Sequence, residues 1–364
     1  MSRTCTAAVF DGTDSKFSFN TFELDPIAEG DVLVGVAACA LCGSDLHTIS
    51  GRRPCTSPTV LGHEIVGQVL ETGGSVNDWS GRELEAGDRV TWTIAASCGS
   101  CFYCRQNLPQ KCQHLVKYGH SDSDADARGP LGGLATHCRL LPGTAIFRIP
   151  DSLDDLEAVP ANCCTATSVA AVRQASEIKG ATLLVMGAGS LGVTITEYAL
   201  KRGASDVILA DIDSSRLETA ATLTGCTPYH ITTSGSAMPD PIRQLTDGRG
   251  VDMAIDVSGA TSAIESALAW LRIGGQLVLV GSVFSSPPIT LDPETVVRRM
   301  LSISGLHNYR PDDLAEALTF LADLPDDAPS RSLAGRSYPL GDIEQAVAAA
   351  DSNEHLRVVV TPNA

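Results

Sequence analysis

The chain has 364 residues, 43% of them apolar, and its 43 acidic residues outweigh 26 basic ones for a formal charge of −17. That excess repels phosphate backbones and anionic lipid, so nucleic acids and membrane surfaces are not expected as partners. No apolar run approaches the roughly 20 residues needed to span a bilayer. The length implies two domains at roughly 100–200 residues each. The N-terminal stretch MSRTCTAAVFDG lacks the apolar core of a secretion signal, so a soluble cytoplasmic protein is expected. Twelve cysteines in a reducing compartment point to metal binding or catalysis.

Residues 1 to about 150 read as short strands broken by turn residues. Segments 31–40 (DVLVGVAACA), 65–71 (IVGQVLE) and 88–94 (DRVTWTI) are β-rich and suggest an irregular all-β barrel. The polar, acidic stretch 121–130 (SDSDADARGP) reads as an exposed loop. From about residue 153 the pattern alternates: strand 182–186, a helix ending near Gly203, strand 207–210, helix 214–224, strand 251–257, helix 261–272 and strand 276–280. Such alternation implies right-handed crossovers and a doubly wound parallel sheet, an α/β architecture. Two helices, 312–322 and 342–350, and a closing strand, 356–361, complete the chain.

Two motifs set a thiolate, an imidazole and carboxylates close together: CGSDLH (Cys42 to His47) and, fifteen residues on, GHE (Gly62, His63, Glu64). That donor mixture suits zinc; the plain alternative is a buried cysteine and a hydrogen-bonded core histidine. Cys98, Cys101, Cys104 and Cys112 follow the spacing C-x2-C-x2-C-x7-C. Four thiolates close a tetrahedron and leave no open position, so a zinc there is structural; an iron–sulfur cluster uses four cysteines as well. A catalytic zinc needs a third protein ligand beyond Cys42 and His63. The segment 160–167 (PANCCTAT) offers Cys163 or Cys164, and spacing alone does not choose between them.

GAGSLG places Gly187, Gly189 and Gly192, with Leu191 between the last two, where a strand passes into a helix. Glycines there permit a tight turn, approach of backbone to a pyrophosphate, and close helix–strand packing. Asp211, nineteen residues beyond Gly192, ends the next strand, where an acid accepts hydrogen bonds from a ribose. Its charge opposes a 2′-phosphate by several kcal/mol, which favours NAD over NADP. Arg216 is near enough in sequence to serve the ribose or to counter a phosphate.

Taken together, these residues resemble the medium-chain, zinc-dependent alcohol dehydrogenases, over nearly the whole chain. The resemblance implies a GroES-like barrel at 1–163 and 305–364 and a Rossmann domain at 164–304. It implies two zinc ions, with Cys42, His63 and Cys163 as catalytic ligands, because the family separates its third ligand from a nicotinamide-packing Thr by three residues, as Cys163 is from Thr167. By the same resemblance Glu64 approaches the metal during ligand exchange, Asp45 orients the His ligand, and Ser44 and His47 relay the alcohol proton. Arg357 reaches the cofactor pyrophosphate, and a homodimer or homotetramer is implied. Gly43 departs from the pattern, standing where some members carry a basic pyrophosphate contact. The segment 305–314 (GLHNYRPDDL) resembles a bacterial branch associated with phosphonate breakdown, and also secondary-alcohol and polyol enzymes.

The activity so implied is oxidation of an alcohol, expected to be secondary, with hydride transfer to NAD. Rival readings are a non-catalytic descendant of the fold, a zinc-free quinone or enoyl reductase, a dehydrogenase of a thiol–aldehyde adduct, and a dehydrogenase of a phosphonate-bearing alcohol. Net charge weighs little against an anionic substrate, since the local field matters more than the sum.

Overall fold

Strand Val32–Leu41 (VLVGVAACAL) is the spine of the first of two compact units, which comprises Met1–Ala166, Arg310–Asp327 and Arg331–Ala364. The computed structural model describes residues 4–12, 16–55, 58–120, 130–175, 177–232, 235, 237–352 and 354–363. The loop expected at 121–130 therefore lies outside the described residues except for Pro130.

The spine pairs antiparallel with Glu64–Thr72, with His137–Leu140 and with the C-terminal strand Arg357–Thr361. Register shifts at Leu33/Val34 and Val36/Ala38 bend it, as bulges do where a sheet must curve. Glu64–Thr72 continues to Arg89–Trp92 and then to Ile146–Arg148, while Arg357–Thr361 pairs in parallel with Ala334–Pro339. A three-stranded sheet of Phe17–Glu23, Thr4–Phe10 and Thr59–Val60 shares one core with these strands, built from residues such as Val9, Val34, Ile65, Trp92 and Val360. The register Val358↔Leu41 brings the end of the chain beside the start of the metal motif.

The second unit, Thr167–Tyr309 with Ala328–Ser330, is built on a parallel sheet. Its order is Thr227–His230, Asp206–Asp211, Thr182–Met186, Val251–Asp256, Leu271–Leu279, Ser302–Gly305. In chain order that is 3-2-1-4-5-6, the Rossmann arrangement. Thr182–Met186 (TLLVM) is buried along its length, as a strand covered on both faces must be. The helix expected at 261–272 ends at Trp270. Leu271 is extended, fully buried and paired with Val251, and it opens the strand Leu271–Leu279, so sheet pairing overrides local helix preference.

Candidate metal centre and dinucleotide site

The helix Gly43–Ile49 starts directly after the spine, with Cys42 at its N-cap. Asp45 is fully buried and ties the two metal motifs together. Its Oδ2 accepts the Cys42 N–H at 2.9 Å and its Oδ1 accepts the Gly62 N–H at 3.3 Å. Oδ1 also lies 3.3 Å from His63 Nδ1, which leaves Nε2 as the ligating nitrogen of His63. Gly62 turns the chain at φ +91°, and the Cys39 sulfur fills the space a side chain would need.

Cys163 sits on a single π-helical turn, Ala161–Thr165, of the kind that recurs at functional sites. The turn is anchored by Asn162, a buried residue that the sequence reading did not single out. Its amide nitrogen donates to the carbonyls of His63 (3.0 Å) and Trp92 (2.9 Å), and its oxygen accepts the Ile65 N–H (3.1 Å). A carboxamide inside the apolar run PANCCTAT was the available signal, since a buried amide must find partners.

Ligand atoms of Cys42, His63, Glu64 and Cys163 all lie within 4.8 Å of one another, whereas Cys164 is buried outside this group. The hydrogen bond from Cys163, with help from His63 and Arg357, pulls the Cys42 thiol well below its ordinary value, and Cys42 in turn pushes Cys163 up. Two thiolates this close oppose each other's ionisation, and a cation between them lets both ionise. The donor set thus fits zinc. Burial pushes Glu64 up, to about 7, against the opposing Arg357 guanidinium. Arg357 Nε and Nη2 each donate to Glu64 at 3.0 Å, so the fork expected at a pyrophosphate is closed on this carboxylate. Ser44 Oγ lies 3.4 Å from His63 Nε2. His47 is half-buried, and burial with the nearby Arg52 charge holds its ring below the ordinary imidazole value. His120, also absent from the sequence reading, packs its ring 4.8 Å from that of His63, with Nε2 3.7 Å from Asp45 Oδ1.

Cys98, Cys101, Cys104 and Cys112 form a second group. Sulfur separations of 3.5 Å (Cys101–Cys104), 3.8 Å (Cys101–Cys112) and 3.4 Å (Cys98–Cys112) approach the ~3.8 Å edge of a tetrahedron with zinc–sulfur bonds of about 2.3 Å. The backbone and hydroxyl of Ser100 pull the Cys98 thiol down to about 5. These features fit a closed zinc lobe.

In the second unit Gly187 turns at φ +114°, and a side chain on Gly192 would collide with the Gly187 carbonyl. Space beside Gly189 is open, as approach of a pyrophosphate requires. The helix Ser190–Lys201 begins there, with Leu191 in its first turn. Asp211 Oδ2 accepts the Ala188 N–H at 2.6 Å and Oδ1 accepts the Asp213 N–H at 2.9 Å. The carboxylate therefore shapes the glycine loop, and each oxygen keeps a lone pair for a hydroxyl. Arg216 lies in the first turn of Ser214–Thr224, its N–H donating to Asp213, and Thr167 is half-buried.

The fold and its clusters define a class of oxidoreductase that works with a metal and a nucleotide. Residues 28–151 match the alcohol dehydrogenase GroES-like domain and residues 190–323 the zinc-binding dehydrogenase family. D-arabitol-phosphate dehydrogenase of Enterococcus avium is 30% identical over 96% of this chain and 94% of its own length. Sorbitol dehydrogenase of Bacillus subtilis is 30% identical over 98% and 97%. The crystal structure of an alcohol dehydrogenase from Thermotoga maritima matches with a TM-score of 0.92 at 25% identity, covering 99% of this chain and 100% of that one. The chain belongs to the zinc-type medium-chain alcohol dehydrogenase family, and it is an enzyme that oxidises alcohols.

Proposed function

We propose that the chain oxidises a secondary alcohol to a ketone using NAD, at a zinc held by Cys42, His63 and Cys163. The convergence of those three ligand atoms, with Glu64, within 4.8 Å carries the reading. A zinc held there would supply Lewis acidity, of the kind that lowers a bound water's pKa from about 15.7 to about 7, roughly 12 kcal/mol of help in ionisation, and a bound nicotinamide would supply the hydride acceptor. Asp45 fixes the His63 tautomer. Ser44 accepts the hydroxyl proton and passes it to His47, whose lowered basicity favours onward release; such assistance is typically worth about 10²–10⁴-fold. Asp211 selects NAD through its charge, and Arg216 steadies the ribose. Thr167 packs against the nicotinamide, and Gly187, Gly189, Leu191 and Gly192 cradle the pyrophosphate, while Arg357 is held in its bidentate pair with Glu64. The second zinc is structural.

A cytoplasmic setting is supported by the cysteines, six of the twelve being gathered into the two candidate metal clusters. A homo-oligomer is supported by the edge strand Ser302–Gly305, beside which Ile273, Val297 and Met300 are 67%, 75% and 72% exposed. The test is NADH formation by purified, zinc-loaded protein across cyclic secondary alcohols, polyols and hydroxyphosphonates. Turnover of a secondary alcohol is expected; fully loaded protein that reduces NAD with none of them contradicts the reading.

A further inference from the structure

A buried carboxylate lies where the parallel sheet changes direction. In the order 3-2-1-4-5-6 the reversal falls between Thr182–Met186 and Val251–Asp256, and a dinucleotide lies across the crevice outside the carboxyl ends of those strands. Asp256 is the last residue of the second strand, fully buried, in register with Met186 on one side and Leu279 on the other. Asp211 marks the adenosine side of the crevice, so the nicotinamide half crosses toward the strand that Asp256 ends.

The Asp256 side chain folds forward onto the turn that follows it. Its Oδ1 accepts the Ser258 N–H at 3.1 Å and the Ser258 hydroxyl at 2.6 Å, and its Oδ2 accepts the Gly259 N–H at 3.1 Å. Ser258 Oγ in turn accepts the N–H of Ala260, the N-cap of the helix Thr261–Trp270. The Asp256 carbonyl takes the N–H groups of Val280 and Gly281, both at 2.9 Å, which fixes the next loop as well. Gly259 turns at φ +69°, and a side chain there would meet the Gly281 carbonyl, so the two loops touch backbone to backbone.

This anchored turn walls one side of the glycine loop. A Cβ on Gly187 would lie 3.1 Å from Val257 Cγ2 and 3.4 Å from the Ser258 nitrogen. The Val257 N–H also donates at 3.0 Å to the carbonyl of Met186, the residue just before Gly187. Ser258 and Ala260 are exposed, so apolar packing does little to shape the turn and the carboxylate does much. Burial pushes the Asp256 carboxyl up, and the donors of Ser258 and Gly259 pull it back. Burying a charge is costly, and glycine with serine can make a tight turn without one. The cost makes sense where the turn must keep one shape for a ligand.

We propose that Asp256 is a positioning residue for the dinucleotide: it clamps the turn 257–259 against Gly187, so that the wall beside the nicotinamide half is formed before the cofactor arrives. This rests on the NAD reading above and deepens it. Without the clamp the turn samples other arrangements, and apparent affinity falls with the population of the competent one; a population of about one tenth gives a roughly tenfold weaker complex.

The test is calorimetric titration of the purified full chain, Asp256→Asn and Ser258→Ala with NADH, NADPH and 5′-AMP. Asparagine keeps the shape of the side chain but sets its amide hydrogens against one of the turn's own donors, which breaks one side of the clamp. Asp256→Asn should weaken NADH about 10- to 30-fold and Ser258→Ala about threefold, while 5′-AMP, which needs only the adenosine side, stays within about twofold. The ratio of NADH to 5′-AMP affinity cancels partial unfolding, and a merely structural role would move both ligands alike. Ser258→Ala leaves both backbone donors on Asp256 and serves if Asp256→Asn does not fold. An unmoved NADH affinity in either folded variant, or equal weakening of NADH and 5′-AMP, overturns the clamp and leaves the NAD reading intact. Parent protein that prefers NADPH, with the same drop in Asp256→Asn, supports the clamp and sinks the choice of NAD alone. Parent protein that binds neither dinucleotide overturns both.

Discussion

Replacing Asn162 by alanine should damage the catalytic metal centre without touching a ligand. The carboxamide satisfies three backbone groups, the Ile65 N–H and the carbonyls of His63 and Trp92, in a part of the barrel where Asn162, Ile65 and Trp92 are fully buried. Each group left without a partner costs about 1–3 kcal/mol, so the three give roughly 3–9 kcal/mol. Water entering the vacated space recovers part of this, which places the expected loss at about 3–5 kcal/mol, out of a typical total of 5–15 kcal/mol. The π-helical turn is then released from His63 and the start of the strand Glu64–Thr72, and Cys163 loses its fixed place. Urea unfolding at constant slope reads the first effect. Zinc content after dialysis against a moderate chelator reads the second, with a fall from two ions to one expected while the four-cysteine lobe keeps its own. Asn162→Asp has the same shape but turns an anionic oxygen toward two carbonyls, so it should be no milder. Stability within about 0.5 kcal/mol of the parent, with both ions retained, would refute the reasoning.

Three further outcomes follow from the geometry. Cys163→Ser should abolish turnover and remove one zinc, whereas Cys164→Ser should keep both ions; metal analysis separates the two, and a reversed pattern would move the third ligand. Arg357→Met leaves Glu64 buried without its partner and should cost about 3–5 kcal/mol in chemical denaturation, and Arg357→Lys should restore only part because it lacks the second donor of the fork. Asp211→Ser should raise the NADP-to-NAD ratio of kcat/KM by about 10- to 100-fold, with weaker NAD binding as the Ala188 contact is lost; an unmoved ratio would remove Asp211 from cofactor choice.

Much of this architecture is legible in the sequence where the signal is local. The strand Thr182–Met186 and the helix Ser214–Thr224 have the bounds that apolar runs and periodicity indicate, because both are set by burial along one short segment. The helix Gly43–Ile49 was not read as such, since within seven residues its polar positions serve a metal site and mask any apolar stripe. The short strands Thr227–His230 and Ser302–Gly305 have partly exposed faces and carry little alternation to detect. Contacts across long separations were out of reach altogether. Asn162 meets residues near 63–65 and 92, and Arg357 meets Glu64, through strand registers that no spacing rule encodes. Residue spacing leaves Cys163 and Cys164 open for the same reason, since the difference lies in which way a π-helical turn points its sulfurs; it is the family resemblance, through Thr167, that selects Cys163.

The central claim is a zinc held by two sulfurs and an imidazole. Anomalous diffraction at the zinc edge, on crystals grown without chelator, tests it most directly. The account predicts two peaks per chain. One lies among the four lobe cysteines, and the other about 2.3 Å from the Cys42 and Cys163 sulfurs and about 2.0–2.1 Å from His63 Nε2. A peak in the lobe alone, or a second peak coordinated by Cys164 in place of Cys163, would contradict it.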